Sequence, residues 1–236
     1  MVHVVLSCLL LAAPAAAQQE EIRFGIELGG VGVGTFAMRA ERVEAADGAR
    51  YSAVGRVDAT RALDLPRIAQ ADGRMEASGT GLTARSPKLR LRPDRYEAES
   101  GAGRVLMSYV RGVARIDRLD PPAGPGDARP GARPGTLDPL SAAWAVLREM
   151  DTEEACAESF DIFDGRRAAR LRMGDAVSEP NGGIVCSAAW ERGDGYGARG
   201  SEPVTILYAP AGPGRVRAMA LRIGTLGGEA VLRRLR

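Results

Sequence analysis

The residues with the most chemical potential lie in one stretch, CAESFDIFDGRRAARLRM, from Cys156 to Met173. It holds a cysteine, Asp161, Asp164 and Glu158, and Glu153 and Glu154 lie just upstream. Carboxylates whose surroundings push their pKa values apart can act as a general acid and base, as in glycosidases. A second reading competes. A run of acidic residues after a helix is usually a solvated face, and Asp-Gly between apolar arms suits a tight turn. The pattern favours that reading: Phe160 to Phe163 as one arm, Asp164-Gly165 as a two-residue type I′ turn, and Arg166 to Met173 as the returning strand.

Histidine usage narrows the chemistry further. The single histidine, His3, falls inside MVHVVLSCLLLAAPAAAQQ. That opening reads as a secretory signal peptide. An apolar run from Val4 to Leu11 precedes Ala-x-Ala spacing at Ala15 and Ala17, which predicts cleavage after Ala17. Met1-Val2-His3 supplies no positive flank. A lipoprotein reading of Val5-Leu6-Ser7-Cys8 competes weakly, because almost no hydrophobic segment precedes Cys8. The run is well short of the ~20 residues that span a bilayer. Residues 18–236 would then contain no histidine, which excludes Ser-His-Asp and Cys-His catalysis and His-based zinc sites. The expectation is a protein that is not an enzyme and uses no cofactor or metal. Two cysteines remain, Cys156 and Cys186. In an oxidising compartment an even count predicts a disulfide between them, and their separation excludes a CxxC redox pair.

The 32 basic and 30 acidic residues are interspersed, and Lys88 is the only lysine. No basic stripe marks a nucleic-acid surface. No second long apolar run follows the leader, so no integral membrane segment is expected in residues 18–236.

These residues must be positioned by strands, because hydrophobicity alternates with period two wherever Gly and Pro do not interrupt it. Phe24, Ile26 and Leu28, then Val31 and Val33, predict a hairpin turning at Gly29-Gly30. Further strands are predicted at Tyr51 to Val57, Arg74 to Gly79, Leu89 to Leu91 and Val105 to Val113. Others are expected around Ala169, Leu171 and Met173, and around Val204, Ile206 and Tyr208. The last runs from Arg215 to Ile223, with Met219, Leu221 and Ile223 inward. One segment changes period: in LDPLSAAWAVLREM, Leu140, Ala143, Trp144 and Leu147 form a helical stripe. Asp138 is placed as its N-cap and Pro139 as its first residue, and capping outranks a catalytic role for Asp138. Ala62 to Ala69 reads as a short helix or a loop. Five prolines and four glycines between Pro121 and Gly135 predict an exposed, mobile loop over about residues 119–136. The fold class expected is mainly β: a strongly curved antiparallel sheet, a half-barrel, wrapping one amphipathic helix within a single domain, 18–236.

The ordered set of features resembles the bacterial family known as domain of unknown function 3108. The set comprises FGIELGGVGVG, LDPPAGPG, a helix opened by Asp138-Pro139-Leu140-Ser141, a cysteine, Phe163-Asp164-Gly165-Arg166-Arg167, a second cysteine, and WERGDGY. Departures are the acidic GDG after Arg192 and the weak pattern between Ala59 and Asp72. The resemblance implies an exported, periplasmic protein with no established reaction. It also implies a curved sheet enclosing a helix, similar to the lipoprotein carrier LolA. Two functions follow as expectations. One is binding or carriage of a lipid or other apolar ligand, lined by inward strand residues and the helix stripe with Trp144 and Leu147. The alternative is a structural or interaction protein of the cell envelope. An open apolar interior would favour the first and a filled one the second.

Overall fold

The computed structural model describes residues 17–45, 48–59, 67–78, 88–101, 103–128, 135–195, 197, 200–225 and 228–236. The expected leader, apart from Ala17, lies outside the described residues; Ala17 is exposed. Seven strands come first: β1 (Gln18–Leu28), β2 (Val31–Ala45), β3 (Gly48–Ala59), β4 (Ile68–Ser78), β5 (Lys88–Ser100), β6 (Gly103–Val110) and β7 (Val113–Asp120). Helix α1 (Pro139–Leu147) and the short β8 (Met150–Asp151) follow. The chain then forms β9 (Phe160–Phe163), β10 (Ala168–Ser178), β11 (Ile184–Arg192), β12 (Gly200–Gly212), β13 (Arg215–Thr225) and β14 (Gly228–Arg234).

All strand pairings within the sheet are antiparallel, in the order β7-β6-β5-β4-β3-β2-β1-β14-β13-β12-β11-β10-β9, with β8 added beside β13. Consecutive strands pair as a meander, and β1 pairs with β14, with Phe24 opposite Arg234. The sheet curves into a nearly closed barrel, further round than a half-barrel. Its seam falls between β7 and β9. There Leu137 forms a parallel bridge with Ile162: its N–H donates to Asp161 O at 2.8 Å, and its carbonyl accepts from Phe163 N at 2.9 Å.

Period-two patterning accounts for the walls. Ile22, Phe24 and Ile26 on β1, Val105, Met107 and Tyr109 on β6, and Val204, Ile206 and Tyr208 on β12 are buried, while their neighbours are more exposed. Each such apolar side chain contributes about 1.5–3 kcal/mol by leaving water. Helix α1 lies inside the sheet, so the expected one-sided stripe is incomplete. Leu140, Trp144 and Leu147 are buried, but so are Ser141, Ala142 and Val146 on the other faces. No helix among the described residues is long and apolar enough to cross a membrane.

Several expectations need correction. Val105 to Val113 is not one strand, because Arg111 and Gly112 adopt positive φ (53° and 75°) and turn the chain from β6 into β7. Leu89 to Leu91 is part of the much longer β5, which continues past Pro93. Asp72 pairs with Arg95 and Gly73 with Pro93, so Asp94 is a bulge that accommodates the proline. Ile68 and Ala69 open β4 instead of ending a helix; residues 60–66 and Gly79 lie outside the described residues. Met219 faces outward. Leu207 pairs with Ala220 and Tyr208 with Ala218, leaving Met219 as a bulge; Val216 and Ala218 precede it and the half-buried Leu221 and Ile223 follow it on the inner face. Part of the Pro/Gly loop is docked: Ala128, Thr136 and Leu137 are buried, while residues 129–134 lie outside the described residues.

Candidate functional site

The carboxylates that opened the question do not gather. Asp161 lies 3.4 Å from Arg170 and Glu154 lies 3.0 Å from Arg148, while Glu153 is exposed. Asp164 is a turn former, but not in the turn expected. Phe163 pairs with Ala168, which leaves a four-residue loop, 164–167, in place of two. Gly165 alone in that loop has a positive φ, 96°, so a type I′ turn, which requires two, is ruled out. The Asp164 carboxylate instead accepts from the backbone N–H of Arg166 and Arg167, at 2.8 and 2.6 Å, and pairs with the Arg167 side chain. The wider loop leaves Arg166 O free to accept from Ala128 N and brings the Arg166 guanidinium 2.8 Å from Asp127. It therefore holds the Pro/Gly loop against the barrel.

Cys156 and Cys186 form a disulfide with their Cα atoms 5.7 Å apart. It ties the segment after β8 to β11, opposite Ala176 of β10. Asp138 sits at the N-cap of α1, fully buried, and Pro139 is at the first helical turn. Asp138 Oδ1 accepts from Ser141 N at 2.8 Å and Oδ2 from Ser141 Oγ at 2.6 Å. Because the single Ser141 proton is used there, the Tyr51 hydroxyl donates to Ser141 Oγ across 2.8 Å. Burial pushes the Asp138 carboxyl up to about 6, against the lowering effect of the Ser141 hydrogen bonds. Burial, and then the Asp138 charge, raise the Tyr51 phenol well above its ordinary range. This chain of three groups fixes the helix in the barrel.

The site with room for a ligand is different in character. Between α1 and the sheet lies a cavity of about 380 Å³. It sits toward the end where β1 turns into β2 and β13 into β14, since Ile26, Phe36, Ile223 and Ala230 all line it. The helix contributes Leu140, Ala143, Val146 and Leu147, and the opposite wall adds Trp190 of β11 and Leu171 of β10. Among the described residues no charged side chain lines it, and Tyr96 and Trp190 bring the only polar side-chain atoms.

Small residues create the space. Gly55 lets α1 approach β3 so closely that a Cβ there would lie 2.6 Å from Leu140 Cδ1. Ala69, Ala143 and Ala230 leave volume beside that contact. Phe36, Val57, Leu221 and Leu232 are only half-buried, so this side of the interior is not sealed. Of the two lining residues expected on the helix, Leu147 is at the cavity and Trp144 is not. Trp144 turns to the other side and packs on Tyr51, with ring centroids 5.1 Å apart. Inward small residues were the sequence signal for the cavity, but alternation alone does not separate them from ordinary core.

No family model, curated protein or solved structure matches the chain. Its function is therefore argued from geometry.

Proposed function

We propose that the protein binds an elongated apolar ligand, such as an acyl chain, in the cavity beside α1, and acts as a binding or carrier protein of the bacterial cell envelope. The supporting observation is the cavity itself: about 380 Å³ with no charged lining residue among the described residues. That volume falls within the roughly 300–1,000 Å³ of small-molecule pockets, and the mouth of a barrel is a usual place for one. A purely structural envelope protein has no need of such a space, which weighs toward the ligand. The exported, periplasmic setting belongs to the same proposal and rests on the leader-like opening residues and on the resemblance given above.

Titration of the full chain with a fluorescent fatty acid tests this reading. Saturable binding is expected, displaced by an unlabelled fatty acid. Ala143→Phe fills the cavity from the helix and is expected to weaken binding at least about tenfold while the melting temperature holds. Equal binding by Ala143→Phe and the parent would remove the cavity from the explanation.

A further inference from the structure

The outer wall of the barrel carries an apolar row that serves neither the helix nor the cavity. Val177 of β10 pairs with Val185 of β11, Val185 with Leu207 of β12, and Leu207 with Ala220 of β13. Ladder partners lie side by side on one face of a sheet. Here that face is the outside, because Ile184 and Cys186, which flank Val185, and Ile206 and Tyr208, which flank Leu207, are all buried. Val177 is 61% exposed and the bulged Met219, next to Ala220, 36%; Val185 and Leu207 are half-buried.

Charge is divided in the same sense along the rows on either side. One row ends at Arg217, which pairs with Ala209. At its other end Glu179 reaches over Gly183, where a Cβ would lie 2.9 Å from the carboxylate. The other row starts at Asp175, whose N–H donates to Ser187 Oγ at 2.9 Å, and passes through the Ser187–Thr205 pair to Arg222, the partner of Thr205 on β13. Both carboxylates therefore stand at the β10 end of the face and both guanidinium groups at the β13 end. All four residues are exposed, and among the described residues none of them has an ion-pair partner. Nearby Arg172, Arg215 and Arg233 do, with Glu191, Glu149 and Glu27.

With two carboxylates to two arginines, these unpaired groups give no net charge to draw an anionic lipid surface. Their arrangement is complementary to its own rotated image. A two-fold axis running parallel to the strands between β11 and β12 exchanges the β10 and β13 ends. It sets Glu179 of one copy against Arg217 of the other, Asp175 against Arg222, and Val177 against Met219 and Ala220. An axis across the strands would set acid against acid.

We propose that this face pairs with a second copy of the chain in an isologous dimer. Four strands and three rows span roughly 20 Å by 20 Å, or about 400 Å² in plan on each copy. That is below the roughly 600–1,000 Å² per partner of a standard interface, so the dimer is a weak one. Sedimentation equilibrium of the purified full chain is expected to give a dissociation constant of about 10–100 µM. Arg217→Glu with Arg222→Glu, and separately Asp175→Arg with Glu179→Arg, are each expected to weaken self-association at least about tenfold with the melting temperature retained. An equimolar mixture of the two charge-reversed proteins restores every opposite-charge contact and should form a heterodimer at close to the parent's affinity. A parent that stays monomeric to about 1 mM overturns the proposal, as does a dimer that neither reversal weakens or a mixture that fails to associate. A monomer that instead co-sediments with phosphatidylglycerol vesicles, and loses this with Arg217→Glu and Arg222→Glu, would assign the face to a lipid surface and overturn it too.

Discussion

The two ends of the barrel interior use one helix in opposite ways. Toward the Gly29-Gly30 turn, Ala143, Val146 and Leu147 of α1 face strand residues without charge and leave an apolar volume. Toward β8, Trp144 and the following Arg148 line a space with Glu20, Glu154 and Arg215, where Arg148 pairs with Glu154, Glu20 with Arg234 and Arg215 with Glu149. The difference separates two jobs within one core. The β8 end anchors the helix by directed contacts, including Arg234 to Leu147 O at 3.3 Å and Tyr208 to Val146 O at 2.9 Å. On the cavity side the helix presents only apolar side chains, while the Asp138–Ser141–Tyr51 hydrogen bonds hold its start, so space can be left there without loosening the helix.

If that division is right, substitutions at the anchored end should act on stability, and those at the apolar end on binding. Trp144→Ala has the largest expected effect. It deletes a buried indole and the Tyr51 contact, and should lower unfolding free energy by about 3–5 kcal/mol in urea titrations. A loss under about 1 kcal/mol would mean that the anchored end does not hold the helix.

Cys156→Ser comes next. Opening a loop of 30 residues costs about 3–4 kcal/mol in the chain-entropy model. The difference from the parent should vanish in reductant; a difference that persists would assign the effect to packing around Cys186, which is fully buried.

Asp138→Asn has the smallest effect of the three and depends on pH. The folded carboxyl titrates at about 6, above its ordinary 3.8, so the folded state holds the proton more tightly than the unfolded chain. The stability this group contributes is present below the ordinary value and is lost as pH rises through about 6. Between about pH 4 and 7 the parent should lose about 2 kcal/mol relative to Asp138→Asn. Parallel stability curves for the two proteins would show that Asp138 ionises in the fold without cost.

The sequence announced the strands and the helix better than their connections. Alternation from Phe24 through Ile26 and from Val204 to Tyr208 is visible because one face of each strand is buried. Asp138-Pro139 marks the helix start because its capping chemistry is local. Arg111-Gly112 hid a turn, since arginine rarely takes a positive φ and the flanking valines read as one strand. Asp164-Gly165 suggested the tightest hairpin, yet the loop widened to hold residues from elsewhere in the chain, Asp127 and Ala128. The disulfide could be read from the cysteine count together with the export expected from the opening residues. Neither cavity could be read this way, because each depends on which small or polar residues from distant strands meet the helix.

The pairing of β1 with β14 has a consequence for how the molecule is made. Phe24 opposite Arg234 is among the most distant contacts the chain can form, yet it lies in the middle of the sheet and not at an edge. The two meanders can each zip up locally, hairpin by hairpin, but the ladder that unites them waits for the last strand. Until then Ile22 and Phe24, both fully buried in the finished fold, lie on a strand with one row of backbone groups unpaired. A nascent chain lacking β14 therefore presents its own central strand as an open edge, the form in which it is most exposed to pairing with another chain.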